Sequence, residues 1–178
     1  RFHTDRCDVV GLLCVRQATK GGISQVVSAP AVHNAIRHRH PDLFDILYEP
    51  LYRSRLGEEH GGETEIYALP VFGQHNGRFS SHYSRTYVEA AQELAHVPRM
   101  TDDQWRAVDT LHDVANELSF EMRFRPGDMQ FLNNHVIYHA RTAFEDDSDV
   151  DRIGGRLLLR LWLAMPNSRA LPEEHAVL

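Results

Sequence analysis

The chain has 178 residues, enough for one domain with a sizeable core, since 42% of them are apolar. Its formal net charge of −6 argues against a general binder of nucleic acid or anionic membrane, which would carry a basic field. No apolar run approaches the ~20 residues that span a bilayer, and two cysteines, Cys7 and Cys14, are too few for a disulfide framework, so a reducing, cytoplasmic setting is expected. The chain opens at Arg1 rather than Met and enters a candidate motif at once; sequence upstream is therefore expected, and a targeting peptide stays open.

In chain order, residues 9–16 read as a buried strand, and a turn at Lys20-Gly21-Gly22 leads to a β-branched strand at 23–28. Residues 30–39 read as a helix, with Ser28 or Ala29 before it and Pro30 in its first turn. A second helical stretch is expected at 41–52, where Leu43, Ile46, Leu47 and Leu51 follow helical spacing. Residues 53–65 are polar and Gly-rich and read as a surface loop. Strands at 66–72 and 78–85 flank Asn76-Gly77, a hairpin signal. Ser80, His82 and Ser84 alternate on the second strand and read as an exposed face. A short helix is expected at 87–95. Thr101 with Gln104 forms a capping-box signature for another, which carries Trp105, Val108, Leu111, Ala115 and Leu118 on one face. The remainder reads as β, at 120–124, 129–132, 136–139 and 155–165. Strands at both ends with helices between suit a β-sandwich or barrel with inserted helices better than an alternating parallel sheet.

Chemistry concentrates in three places. In Phe2-His3-Thr4-Asp5, strand alternation would point His3 and Asp5 the same way. They are two thirds of the 2-His-1-carboxylate set that holds non-haem Fe(II) on one face. The pair alone is weak: with twelve His and thirteen Asp, about one His-x-Asp is expected by chance, and His40-Pro41-Asp42 is another. The second place is His139, which follows apolar residues at the end of the 136–139 strand. It reads either as a ligand or as a hydrogen-bonded core histidine. The third is Arg156-Leu-Leu-Leu-Arg160-Leu-Trp162, where period two puts Arg156, Leu158, Arg160 and Trp162 on one face and leucines on the other. Two arginines in so apolar a strand need anions, because an unpaired buried charge costs several kcal/mol. A carboxylate suits the planar guanidinium fork. Asp147, Asp149 and Asp151 alternate as in a calcium loop, but Arg152 stands where the turn glycine belongs.

Taken together and in order, His3-Thr-Asp5, Gly21-Gly22-Ile-Ser24, Asn134, the run Tyr138-His139-Ala-Arg-Thr-Ala-Phe-Glu-Asp146 and Arg156-Leu-Leu-Leu-Arg160 resemble the TauD/TfdA family. These are Fe(II)- and 2-oxoglutarate-dependent dioxygenases of the taurine dioxygenase and clavaminate synthase type. The resemblance selects His3 over His40, because the metal-binding His-x-Asp precedes the Gly-Gly-x-Ser/Thr turn. It implies a double-stranded β-helix, a jelly-roll variant that is mainly β with a helical insert at about 86–119. Residues 1–178 would form a single domain that lacks its N-terminal part in this chain. It further implies that His3, Asp5 and His139 hold Fe(II). Ser24 stands where the family usually has Thr, whose hydroxyl bonds the distal carboxylate of 2-oxoglutarate. Arg156 would salt-bridge that carboxylate, and Arg160 would reach substrate or co-substrate. Arg152 lies at the family's usual distance from the second histidine; Arg156 is preferred because a strand follows it directly and Arg160 stands four residues on. The implied reaction uses O2 to hydroxylate a small, often anionic substrate, with release of succinate and CO2. The implied partner is that small molecule, with no nucleic acid and no membrane; a homo-oligomer stays open. The alternative is a non-catalytic metal-binding jelly roll or an inactive homologue.

Overall fold

The structure is a computed structural model and describes residues 1–59, 61–146 and 155–175. Arg152 and the Asp147, Asp149 and Asp151 series lie outside the described residues. In chain order the elements begin with β1 (Val9–Arg16), β2 (Lys20–Gly21), β3 (Ser24–Ser28), α1 (Ala29–Arg39) and α2 (Pro41–Phe44). They continue with β4 (Leu51–Ser54), β5 (Ile66–Leu69), β6 (Phe72–His75), β7 (Arg78–Ser81), α3 (Arg85–Glu93) and α4 (Asp102–Glu117). The last are β8 (Phe120–Met122), β9 (Met129–Asn133), β10 (Ile137–Arg141), β11 (Phe144–Glu145) and β12 (Leu157–Leu163). The fold is mixed α/β with strands in the majority. Its two larger sheets run β12-β1-β9 and β10-β3-β8, and every pairing in them is antiparallel. The main core joins Val32 and Ile36 of α1 to Val108, Leu111 and Ala115 of α4 and to Phe72, Tyr83 and Tyr138. No helix among the described residues is long and apolar enough to cross a membrane.

Local chemistry explains most boundaries. The Ser28 hydroxyl accepts the Ala31 N–H at the start of α1, with Pro30 in the first turn. Thr101 and Gln104 cap α4 reciprocally. Asn76 and Gly77 both have positive φ, +50° and +74°, the backbone that a two-residue hairpin between β6 and β7 demands.

Several expectations need correction. The helix expected at 41–52 ends early: α2 gives way to a 3₁₀ turn at Asp45–Tyr48, and Glu49 is extended. Pro50 explains this, since the residue before a proline is pushed out of the helical region. The chain then enters β4, so the loop expected at 53–65 loses its first two residues to a strand paired with β5. Arg53 is fully buried there, donating to the Leu69 and His82 carbonyls at 2.9 and 3.0 Å. The strand expected at 66–72 is two strands broken at Pro70, which cannot donate to a ladder. Ser80, His82 and Ser84 are buried rather than exposed: His175 packs on Ser80 with Nδ1 2.9 Å from its hydroxyl, the His82 N–H donates to the Val71 carbonyl, and Ser84 bridges His3. His139 is the third of five residues in β10, not the end of a strand.

The β12-β1-β9 sheet buries one face and leaves apolar side chains exposed on the other. Its register sets Val10, Leu12 and Cys14 of β1 opposite Trp162, Arg160 and Leu158 of β12, and this face turns into the domain. On the other face Leu159, Leu161, Phe131 and Met129 are 51 to 66% exposed. Arg160 on the inner face keeps its side chain 52% exposed, so what departs from ordinary burial is the apolar outer face.

Candidate metal centre

The segment before β1 positions two of the three ligand candidates. Its backbone is extended, so neighbouring side chains alternate. Thr4 points into the core, where its hydroxyl accepts the Tyr83 N–H at 3.0 Å and its own N–H donates to the Tyr83 carbonyl. His3 and Asp5 therefore face the other way together. His3 also exchanges both backbone hydrogen bonds with His139 of β10, each at 3.0 Å. Residues directly opposite each other in an antiparallel pair share a face, and the two imidazole centroids lie 4.3 Å apart.

Asp5 closes the set. One ligand atom from each of His3, Asp5 and His139 lies within 4.8 Å of the other two. The Asp5 carboxylate oxygens sit 3.8 Å from His3 Nε2 and 3.6 Å from His139 Nε2. Asn134 holds the backbone: its Oδ1 accepts the Asp5 N–H at 3.0 Å, and its Nδ2 donates to the carbonyls of Asp5 and Cys7 at 2.6 and 2.8 Å. Burial pushes the Asp5 carboxyl up, but the pull of His139, His3 and Arg160 outweighs it and holds the group below the usual carboxylate range. Burial, then the neighbouring His139, lower the pKa of His3. An ionised carboxylate beside a neutral imidazole is the protonation state in which these groups bind a divalent ion.

Two cavities meet at this cluster. One, of about 350 Å³, is lined by His3, Asp5, Arg160 and Trp162 together with Glu58 and Tyr87. The other, of about 250 Å³, is lined by His3, His139, Ser24, Arg141, Arg156 and Arg160. Arg156 suits an anion in the second cavity. Its Nε is buried without a hydrogen-bond partner, and it makes no ion pair among the described residues. It lies against Gly22, where a Cβ would stand 2.9 Å from Nε; the φ of +66° at Gly22 also disfavours any side chain. Burial, then the charge of Arg141, lower the Arg156 pKa. An anion would relieve both effects. Arg160 lines both cavities, with Nη1 3.6 Å from Asp5 Oδ2 and its guanidinium 4.9 Å from the Trp162 ring centroid.

Residues 1–162 match the family described as "Taurine catabolism dioxygenase TauD, TfdA family". The chain belongs to the TauD/TfdA family. Among its relatives, "FR-33289 synthase" of Streptomyces rubellomurinus is 33% identical over 174 residues, which are 96% of this chain and 51% of that protein. A taurine hydroxylase-like protein of Stachybotrys chartarum is 29% identical, over 80% of this chain and 37% of that one. Among solved structures, asparagine oxygenase in complex with Fe(II), a 3-hydroxyasparagine and succinate aligns at a TM-score of 0.69. It is 20% identical, covering 92% of this chain and 49% of that one. The non-haem iron oxygenase OrfP with Fe and alpha-ketoglutaric acid aligns at 0.64 with 21% identity, over the same shares. The chain thus shares the fold of these oxygenases, and it spans about half the length of the relatives it matches.

The structure brings together all six residues singled out from sequence: His3, Asp5 and His139 in one cluster, and Ser24, Arg156 and Arg160 around the adjoining cavity. His40 is not among them. Sequence reasoning gave no role to Arg141 or Trp162. Strand alternation was the available signal, since Arg141 follows His139 by two in β10 and Trp162 follows Arg160 by two in β12.

Proposed function

We propose that this chain carries the catalytic centre of an Fe(II)- and 2-oxoglutarate-dependent oxygenase, on a jelly-roll domain of the double-stranded β-helix type that extends over residues 1–178. The carrying observation is that two imidazoles and a carboxylate meet where an arginine-lined cavity adjoins a second, open cavity. His3, Asp5 and His139 would hold the metal, leaving its other face to co-substrate, substrate and oxygen. Ser24 and Arg156 would take the distal carboxylate of 2-oxoglutarate, with the orphaned Nε of Arg156 as the preformed donor. When bound, ferrous ion would activate O2 as the oxidant, and 2-oxoglutarate would supply two of the electrons, leaving as succinate and CO2. The protein's own contribution is placement: the Asn134 clamp fixes the Asp5 backbone, and the His3–His139 backbone pair fixes the imidazoles.

The first cavity is the proposed substrate chamber. Its volume of about 350 Å³ suits a small organic molecule, and Arg160 on its wall supplies a positive group for an anionic one. The related asparagine oxygenase and OrfP are crystallised with hydroxylated amino acids, and hydroxylation is the outcome proposed here. Anaerobic addition of Fe(II) and 2-oxoglutarate should produce a visible charge-transfer band. Aerobic incubation with amino acids, sulfonates and small carboxylates should then reveal a substrate that stimulates succinate release. Metal binding with neither band nor succinate would favour a non-catalytic metal-binding protein instead.

A further inference from the structure

We propose that Trp162 is a positioning residue for the metal-binding carboxylate. The inference rests on reading His3, Asp5 and His139 as the metal site. The indole Nε1–H of Trp162 donates to Asp5 Oδ2 at 2.8 Å, a good hydrogen bond to a carboxylate that is 7% exposed. Asp5 Oδ1 accepts no hydrogen bond among the described residues, and Asp5 lines the first cavity. The two oxygens are therefore inequivalent before any metal arrives. Oδ2 is held by the indole, with Arg160 Nη1 and His139 Nε2 each 3.6 Å away, whereas Oδ1, 3.8 Å from His3 Nε2, carries no such bond.

The sheet register sets where the indole stands, with 43% of Trp162 left exposed. Trp162 is the register partner of Val10, which is fully buried, and follows Arg160 by one alternation on the inward face of β12. The Arg160 guanidinium lies over the indole ring, 4.9 Å from its centroid. Asn134 fixes the backbone of Asp5, and Trp162 fixes the carboxylate's rotation about its side-chain torsions. Hydrogen bonds to a ligand from the surrounding protein orient it and tune its basicity, and losing one typically lowers metal affinity about 10- to 100-fold. Trp162 also lines the first cavity, so a substrate packed on the indole would bear on the same carboxylate.

The test replaces the indole N–H and little else. Trp162→Phe is the simple variant; benzothienylalanine at position 162, which keeps the bicyclic shape and exchanges N–H for sulfur, covers the case in which Phe fails to fold. Fe(II) affinity is measured by anaerobic titration of the full chain, and the charge-transfer band is recorded with 2-oxoglutarate. The expected result is affinity weakened about tenfold or more and a displaced band, with an unchanged far-UV circular dichroism spectrum. Unchanged affinity and band in a folded variant overturn the proposal. No Fe(II) binding by the unaltered chain overturns the metal-site reading itself, and Trp162 with it, which separates the two failures.

Discussion

Two pairs of histidines in this domain do different things: one pair meets a carboxylate beside open space, and the other is sealed in the core. His3 and His139 meet Asp5 at the junction of two cavities. His82 and His175 are 1% exposed and make no ion pair with a carboxylate among the described residues. His175 is held between the Ser80 hydroxyl and the Pro70 carbonyl, at 2.9 and 3.1 Å. Its ring lies so close to Gly73 that a Cβ there would stand 2.8 Å from Cε1. Burial is the largest cause lowering the pKa of His3, His82 and His175 alike. A depressed imidazole pKa therefore does not mark the site. His135, also buried, pairs with Asp8 at 2.7 Å beside another cavity, so one imidazole on a carboxylate does not mark it either; two imidazoles converging on one carboxylate beside open space do.

The contrast can be broken most sharply at Asp5. Asp5→Ala should abolish Fe(II)-dependent succinate formation while costing no more than about 3 kcal/mol of stability, the penalty for leaving buried donors such as the Trp162 N–H unpaired. Retained activity with added Fe(II) would remove Asp5 from the metal site. Arg156→Leu should spare Fe(II) binding and raise the KM for 2-oxoglutarate about 30-fold or more, as expected when a buried charge loses its partner at a cost of 2 kcal/mol or above. An unchanged KM would transfer that role to another arginine.

The structural group should answer to pH instead of to metal. Burial brings the His175 pKa from 6.5 down to about 4. A depressed folded-state pKa means that below pH 6.5 the unfolded chain binds a proton that the folded chain refuses. Stability is therefore full above pH 6.5 and falls as the pH drops toward 4, by about 2 kcal/mol at pH 5 from this group alone. Urea unfolding of the metal-free protein at pH 7 and pH 5 measures the slope, and His175→Gln should flatten it. A slope identical in the variant would assign the effect to His82 or the carboxylates. The smallest effect belongs to the outward leucines of β12: Leu159→Lys and Leu161→Lys should each change stability by within about 0.5 kcal/mol, because neither side chain is buried. A larger loss would mean that this face is covered in solution.

Much of the site was legible before any coordinates because its parts obey short-range rules. His3 and Asp5 share a face through strand alternation, Gly22 and Ser24 belong to one turn-and-strand signal, and Arg156 and Arg160 stand out against leucines. The misreadings arose where a long-range partner overrode a local signal. Leu51 continues a helical spacing, yet Pro50 and pairing with Leu69 put it in a strand. Ser80, His82 and Ser84 alternate like a wet strand face, yet His175, some 95 residues on, packs on Ser80, and Ser84 bridges distant His3. Arg53 begins a polar stretch and lies in the core, because its guanidinium satisfies two backbone carbonyls there.

By itself, then, the sequence determined the set of chemical groups: the imidazoles, the carboxylate, the hydroxyl and the two arginines. Their types and order along the chain carry the resemblance to the family. Only the tertiary structure decided which of these groups meet. The antiparallel bridge between His3 and His139, 136 residues apart in sequence, sets the imidazoles side by side, their rings tilted at 49°. Register with β1 turns Arg160 and Trp162 inward and their leucine neighbours outward. The physical reason is that alternation along a strand offers two faces without saying which is inside. Pairing with a distant strand makes that choice once, for every side chain on the strand.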